Sequence, residues 1–501
     1  MTESPGTTDL RARVLGGMAW TGASQIVAQL TRLVVALVVA RLLGPSEFGL
    51  AALALVFASL VLVFSDLALG AAIVQAKHLS EDDRCTAFWI AVFSGVLFTI
   101  VGVLISGPVA SLYGQPHMQP LLAVLSLSFL LTSLGSTQQA LLLRDMNFRR
   151  LELLVMAGSL AGGAVAVALA AMGTGAWAII GQQLAVALVT TALLWRATRW
   201  HPAMRMSRAS FRHLVNFSSP LVGHRLLYYL HQNADNFLIG RAFGPAALGA
   251  YAIAYNVMLV PASRIGGPIQ RVLAPAFARM QDEPQRIAIA WARVGRIIAT
   301  VAVPALAGIA VVAPDFVRVV LGERWDAAIP IIQVLAWVGI LQAIQTVNVD
   351  ILVARGRTAT MFRYSLLFVA AHLTAFIVGL HWGVIGVAVA YAISSTLVEP
   401  VLTVLTARNI GVSPFVFVRA VAGVFQAAAV MAIVVLLGRF ALVEAGLPAA
   451  PRLALLVILG LAVYVPMCLW RAPEILEEAR SLRGRFGRRR VIVPPTAPAG
   501  T

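Results

Sequence analysis

Apolar residues run along this chain in blocks of about 20 to 26, separated by short segments rich in arginine or in Gly and Pro. That length matches the roughly 20 helical residues needed to cross about 30 Å of hydrocarbon at about 1.5 Å per residue. The blocks lie near 15–40, 48–72, 86–106, 119–142, 151–172, 176–195, 214–240, 246–269, 295–320, 329–352, 361–380, 383–407, 416–438 and 452–470, and they predict fourteen transmembrane helices. Strict apolar and polar alternation is rare and glycines are scattered through the blocks, which argues against a membrane barrel. The block 295–320 is the least regular, because Pro304, Pro314 and Asp315 are placed to break it.

The pattern R-x-x-G-P-x-x-x-G occurs at Arg41–Gly49 and again at Arg241–Gly249, 200 residues later, each copy ending one apolar block and starting the next. A fixed offset of this kind predicts a duplicated transporter with its substrate path between the halves. The expected organisation is a tail over 1–14, a first lobe of six helices over 15–195 and a basic linker over 196–213. A second six-helix lobe over 214–407, an appended helix pair within 416–470 and a basic tail over 471–501 complete it. Six helices per lobe is an even number, so the copies point the same way and the repeat is parallel. Arg41 and Arg241 fall in the last turn of their helices, where they complement the helix dipole, and Gly-Pro turns the chain back.

Composition agrees: 60% of residues are hydrophobic and 12% charged, too little polar surface for a water-soluble chain of 501 residues. If the N-terminus is cytoplasmic, most of the 38 basic residues fall in inner loops and tails. Only Arg41, Arg241, Arg318, Arg324, Arg439 and Arg452 fall outside, and Arg32 and Arg225 lie within spans. This asymmetry predicts both termini on the cytoplasmic side of the membrane and an even number of helices. The net charge of +17 then calls for anionic lipid head groups as partners, not nucleic acid, and the densest run is Arg483–Arg490. Cys85 and Cys468 sit at inner helix ends, where no disulfide is expected. The first apolar run is too long for a signal-peptide core, so helix 1 is read as retained. No phosphate-binding loop, dinucleotide fingerprint or Cys/His cluster at metal spacing occurs, so no cofactor, metal site or enzymatic activity is expected.

Ionisable and polar groups inside spans carry the functional signal, because lipid does not tolerate them. In helix 7, His224, Tyr228, His231 and Asp235 share one face, and Arg225, Tyr229, Gln232 and Asn236 form the adjacent stripe. The same stripe in helix 1, 200 residues earlier, carries Gln25, Gln29 and Arg32. Both halves thus turn a polar face toward a common hydrated cleft, and the competing reading is interhelical hydrogen bonding in a dry interface. Asp66 lies on the order of 16 Å from the depth of Arg32, so Asp235 is the better partner for Arg32. Asp66, Asp235, His224 and Glu399, which Pro400 follows, are candidates for ion coupling. Gln342, Gln345 and Asn348 in helix 10 suit sugar hydroxyls or packing equally.

Three motifs in order, Val39-Ala40-Arg41-Leu42-Leu43-Gly44-Pro45-Ser46-Glu47-Phe48-Gly49, Phe64-Ser65-Asp66-Leu67-Ala68-Leu69-Gly70 and Asn233-Ala234-Asp235-Asn236-Phe237-Leu238-Ile239-Gly240-Arg241, resemble the Wzx-type polysaccharide-export flippases. These belong to the multidrug/oligosaccharidyl-lipid/polysaccharide exporter superfamily, and the resemblance covers about 11–410. It implies an all-α membrane protein whose two six-helix bundles move an undecaprenyl-pyrophosphate-linked oligosaccharide between leaflets by alternating access. Arg32 and Arg225 would then meet the pyrophosphate, with Gln25, Gln29, Tyr228, Tyr229, His231, Gln232 and Asn236 offered to sugar. A polysaccharide polymerase or export protein could dock on the appended pair. A peptidoglycan-precursor flippase and an ion-coupled drug exporter of the same superfamily are the alternatives; the former carries more cavity basic residues than the two found here.

Overall fold

A computed structural model describes residues 33–65, 70, 73–74, 79–212, 229, 232–259, 277, 280 and 283–474. Regular structure among the described residues is entirely helical. Its helices are α1 (Leu33–Leu43), α2 (Pro45–Ser65), α3 (Glu81–Leu112), α4 (Met118–Leu125), α5 (Leu127–Arg144), α6 (Phe148–Ala171) and α7 (Trp177–Thr198). The helical segment Gln232–Leu259 follows. The chain continues through α10 (Pro284–Phe316), α11 (Ala328–Ala354), α12 (Thr358–Gly379), α13 (Gly383–Ile410), α14 (Phe415–Glu444) and α15 (Ala449–Arg471). Ten of the described helical stretches are long and apolar enough to cross a membrane. Each of the fourteen expected spans contains described helix.

The segment Gln232–Leu259 cannot be one straight rod. Asp235 and Tyr251 are 16 residues apart, about 24 Å at helical rise, yet the Tyr251 hydroxyl donates to Asp235 Oδ2 at 2.8 Å. The chain reverses at Gly244, whose φ of +79° is left-handed and suited to a residue without Cβ. Its arms are labelled α8 (232–243) and α9 (245–259). Gly44, with φ +81°, separates α1 from α2 in the same way. In both copies proline opens the following helix, where its missing N–H costs nothing.

Helix starts and contacts follow local chemistry. Ser80 and Asp83 form a reciprocal capping box at α3, with Ser80 Oγ accepting from Asp83 N at 3.1 Å. Helices in lipid gain little from hydrophobic exclusion and pack through small residues. A Cβ added to Gly162 of α6 would come within 2.8 Å of the Gln182 carbonyl oxygen of α7. One added to Gly95 of α3 would meet Ser133 Cβ of α5 at 2.7 Å.

The chain forms two compact units, one of Met1–Val260, Phe316–Val338 and Tyr364–Val398, the other of Pro261–Asp315, Gly339–Arg363 and Glu399–Thr501. In the second unit α10 runs unbroken through Pro304 and Pro314, two of the three residues placed to break this expected span. Asp315, the third suspected breaker, is instead an anchor. Its Oδ2 accepts from Arg439 Nε of α14 at 2.7 Å and its Oδ1 from Arg452 Nε of α15 at 2.7 Å, with the carboxylate 1% exposed. Arg439 and Arg452, expected as outer loop charges, therefore fasten the appended pair to α10. Farther along α10, Tyr464 donates to the Thr300 carbonyl at 2.7 Å, and Trp291 stacks on Phe417 with ring centres 4.8 Å apart. The pair is bound to α10 along its length.

Candidate functional site at the repeated motif

The two copies of the repeated pattern meet each other inside the first unit. A Cβ on Gly49 of α2 would overlap the Pro245 carbonyl oxygen and lie 2.6 Å from its carbon and 2.8 Å from Gly249 N. A Cβ on Gly249 of α9 would overlap the Pro45 carbonyl oxygen and lie 3.1 Å from Gly49 N. The contact is reciprocal, as a two-fold repeat requires, and only glycine allows the backbones to approach so closely.

Aromatic groups cross between the halves on either side of this point. Trp325, fully buried, donates its indole N–H to the Ala40 carbonyl at 3.1 Å and meets Phe48 edge-on with ring centres 5.7 Å apart. Arg41 donates to the carbonyls of Val319 at 2.6 Å and Val320 at 3.3 Å. Its expected role as a complement to its own helix dipole is thus extended into a bond to the other half. In the opposite sense, Tyr113 packs edge-on against Phe57 and Phe237 at 5.7 and 5.8 Å, beside Gly240. Tyr113 follows α3 and Trp325 follows α10, so each half sends an aromatic from the end of an equivalent helix onto the other.

Glu47 breaks the symmetry, since the second copy has Ala247. The Glu47 carboxylate accepts from Ala176 N at 2.8 Å, at the start of α7, where a negative charge and a free acceptor are both favoured. Glu47→Ala is expected to destabilise the protein by about 1 kcal/mol, the usual cost of a lost helix cap, visible as a lower melting temperature in detergent. An unchanged melting temperature would mean that water replaces the carboxylate at no cost.

The polar face of helix 7 is described in part. The Tyr229 hydroxyl donates to the Val56 carbonyl of α2 and is largely buried. Asp235, 2% exposed, accepts from Tyr251 and from Asn236 N at 2.7 Å, and Asn236 Oδ1 is buried without a hydrogen-bond partner. Among the described residues, the hydrogen-bond donors to Asp235 are thus neutral. Gln232 is half-buried on the same helix. Gln25, Gln29, Arg32, Asp66, His224, Arg225, Tyr228 and His231 lie outside the described residues. Glu399 is 3% exposed within α13, in the second unit.

One buried polar group, at His372, lies outside the sequence expectations. His372 of α12, fully buried, shares a 3.2 Å hydrogen bond with Ser395 Oγ of α13 and meets Tyr391 edge-on at 5.0 Å. The i, i+4 placement of Tyr391 and Ser395 in the next span was the available signal. In the second unit, Trp291 Nε1 donates to Asn348 Oδ1 at 2.7 Å, Asn348 to Gln345, and Gln345 Nε2 to Thr403 Oγ1 at 3.0 Å. Gln345 and Asn348 therefore satisfy one another inside the protein, which decides for packing over sugar contact at those two positions.

The family model described as "Polysaccharide biosynthesis protein" matches residues 38–330, more than half of the chain and both copies of the motif. The chain belongs to this family. The lipopolysaccharide biosynthesis protein WzxC of Escherichia coli strain K12 is a similar member, 28% identical over 83% of this chain and 82% of its own. The succinoglycan biosynthesis transport protein ExoT of Rhizobium meliloti strain 1021 is 27% identical over 92% of this chain and 93% of its own. The fold resembles that of a solved lipid II flippase MurJ in an inward closed conformation, with a TM-score of 0.74 at 12% identity, covering 91% of this chain and 99% of that one. Family and fold bear out the resemblance read from the three motifs, and the chain is a multi-pass membrane protein of transporter architecture.

Proposed function

We propose that this family member is a flippase that moves an undecaprenyl-pyrophosphate-linked oligosaccharide repeat unit from the inner to the outer leaflet of the bacterial cytoplasmic membrane. The observation that carries the reading is the reciprocal contact of Gly49 and Gly249 in a duplicated membrane protein of a polysaccharide biosynthesis family. A seam built from both repeat copies is what a protein needs to seal one side of the bilayer while the other opens. With both termini cytoplasmic, that seam lies on the outer side, and the halves separate there to release cargo.

In this account Arg32 and Arg225 hold the pyrophosphate, because guanidinium groups give bidentate, permanently charged donors. Gln25, Gln29, Tyr228, His231, Gln232 and Asn236 offer hydrogen bonds to sugar. Tyr229, tied here to Val56, joins them when α2 and the helix-7 face part. Asp235 is the foremost coupling group, since a buried carboxylate held by neutral donors is suited to taking up a proton or cation. Asp66, His224 and Glu399 are the further candidates. The protein performs no covalent chemistry, and the lipid tail stays in the bilayer between the lobes.

Arg32→Ala and Arg225→Ala are expected to cut surface polysaccharide at least about tenfold, the scale of one lost charge-assisted contact, while protein in the membrane stays at wild-type level. Full complementation by both variants would remove the pyrophosphate cradle from the account.

A further inference from the structure

At the end of the first half where basic residues collect, a cavity of about 300 Å3 opens among the ends of α3, α5, α6 and α7. Arg84, Arg144 and Arg150 line it together with Asp145, Asn147 and Trp200. The guanidinium groups differ in how far they are committed. Arg144 Nη1 donates to the Ile73 carbonyl at 2.6 Å, which fixes it as a wall. Arg84 reaches Glu81 through Nη1 at 3.4 Å, but its Nε is buried without a hydrogen-bond partner. Arg150 is exposed and has no ion-pair or hydrogen-bond partner among the described residues. Of the nearby carboxylates, Glu81 is already engaged by the Trp200 indole at 2.6 Å.

The turn between α5 and α6 holds these groups at a set spacing. Met146 adopts a left-handed φ of +53°, which L-residues other than Asn and Asp rarely visit, and Asn147 N donates to the Leu142 carbonyl at 2.9 Å. The equivalent turn before α12 makes the same bond from Arg357 N to Leu352 at 2.9 Å. The turn is therefore part of the duplicated framework, whereas Arg144 and Arg150 on either side of it are features of the first half.

We propose that this cavity seats the phosphate of an anionic membrane lipid, gripped by Arg84 and Arg150 against the fixed Arg144. A buried N–H without a partner favours a ligand that satisfies it, and a phosphate oxygen between guanidinium groups does so with charge. Placement at the lipid head groups rests on the cytoplasmic orientation given above; pockets of this kind between transmembrane helices suit anionic heads, and Trp200 suits the interface. The phosphate can come from bulk phospholipid or from the lipid-linked cargo.

The test uses full-length protein in neutral detergent, with phosphatidylglycerol, phosphatidylcholine and undecaprenyl pyrophosphate titrated separately and bound lipid counted by native mass spectrometry. Phosphatidylglycerol, undecaprenyl pyrophosphate or both should bind in preference to phosphatidylcholine. Arg84→Gln and Arg150→Gln should each raise the half-saturating concentration about tenfold for whichever phosphate lipid uses the cavity. Arg150 is exposed, so its variant tests the cavity even if Arg84→Gln folds poorly. Arg408→Gln, at an exposed basic position in the last turn of α13, should change nothing. An effect of the cavity variants on phosphatidylglycerol assigns the site to bulk lipid, and an effect on undecaprenyl pyrophosphate alone assigns it to cargo. Wild-type binding by both cavity variants, equal binding of phosphatidylcholine, or equal weakening by Arg408→Gln would each overturn the proposal. The phosphatidylglycerol measurement does not depend on what the protein transports, so it stands or falls apart from the flippase reading.

Discussion

Alanine at Gly49 or at Gly249 is expected to reduce polysaccharide export at least about tenfold, a rate loss that corresponds to little more than 1.4 kcal/mol of lost closure, while the protein still inserts. The added carbon would lie 2.6 Å from Pro245 C in the first case and 3.0 Å from Pro45 C in the second, and what it meets is backbone, which cannot swing aside as a long side chain would. The two helices must separate, and Trp325 and Tyr113, whose contacts cross the same seam, separate with them. A cysteine at Leu53, buried in wild type beside Gly240, should then react with a membrane-impermeant thiol reagent added from outside, in a background lacking Cys85 and Cys468. Normal export by both alanine variants, with Leu53→Cys still protected, would show that the seam need not close for transport.

Asp315→Asn should be the most damaging single change away from the seam. It leaves Arg439 and Arg452, 18% and 11% exposed, without their shared carboxylate. Removing one partner of a buried ion pair costs about 3–5 kcal/mol, because the remaining charge is stranded where water reaches it poorly. The variant should melt well below wild type in detergent, and the triple change Asp315→Asn, Arg439→Gln, Arg452→Gln should recover most of the loss. If the triple variant is no more stable than the single one, the cost lies in packing at Asp315 and not in stranded charge. Since Tyr464 and Trp291 fasten the same helix pair to α10 at other levels, the loss should fall on stability first and on export only as folded protein is depleted.

What was legible in the sequence was periodic. Long apolar blocks gave the helices, and the 200-residue offset gave the two left-handed glycines with proline after each. The same offset did not reveal that the copies touch, because glycine beside proline is already explained by the turn and gives no sign of a partner. The anchoring role of Asp315 is hidden in the sequence for a related reason. A carboxylate in an apolar run looks like a breaker until its partners are seen, and these lie 124 and 137 residues away. Gln345 and Asn348 were ambiguous because amides bind sugar or each other by the same hydrogen bonds; only Trp291 and Thr403 alongside them decided it. His372 stands alone in an apolar run, and its setting against Tyr391 and Ser395 depends on how α12 and α13 face each other. The polar faces of helices 1 and 7 remain the part of the site that rests most on sequence, with Tyr229, Gln232, Asp235 and Asn236 as their described portion.

The most direct test of the flippase account is the leaflet distribution of lipid-linked oligosaccharide in a strain lacking this protein, scored with an impermeant sugar-binding probe before and after complementation. The account predicts undecaprenyl-pyrophosphate oligosaccharide accumulating out of the probe's reach in the inner leaflet, and its appearance in the outer leaflet when wild-type protein is restored but not when Gly49→Ala or Arg225→Ala is supplied. Surface polysaccharide made at the normal rate with no such accumulation would contradict it.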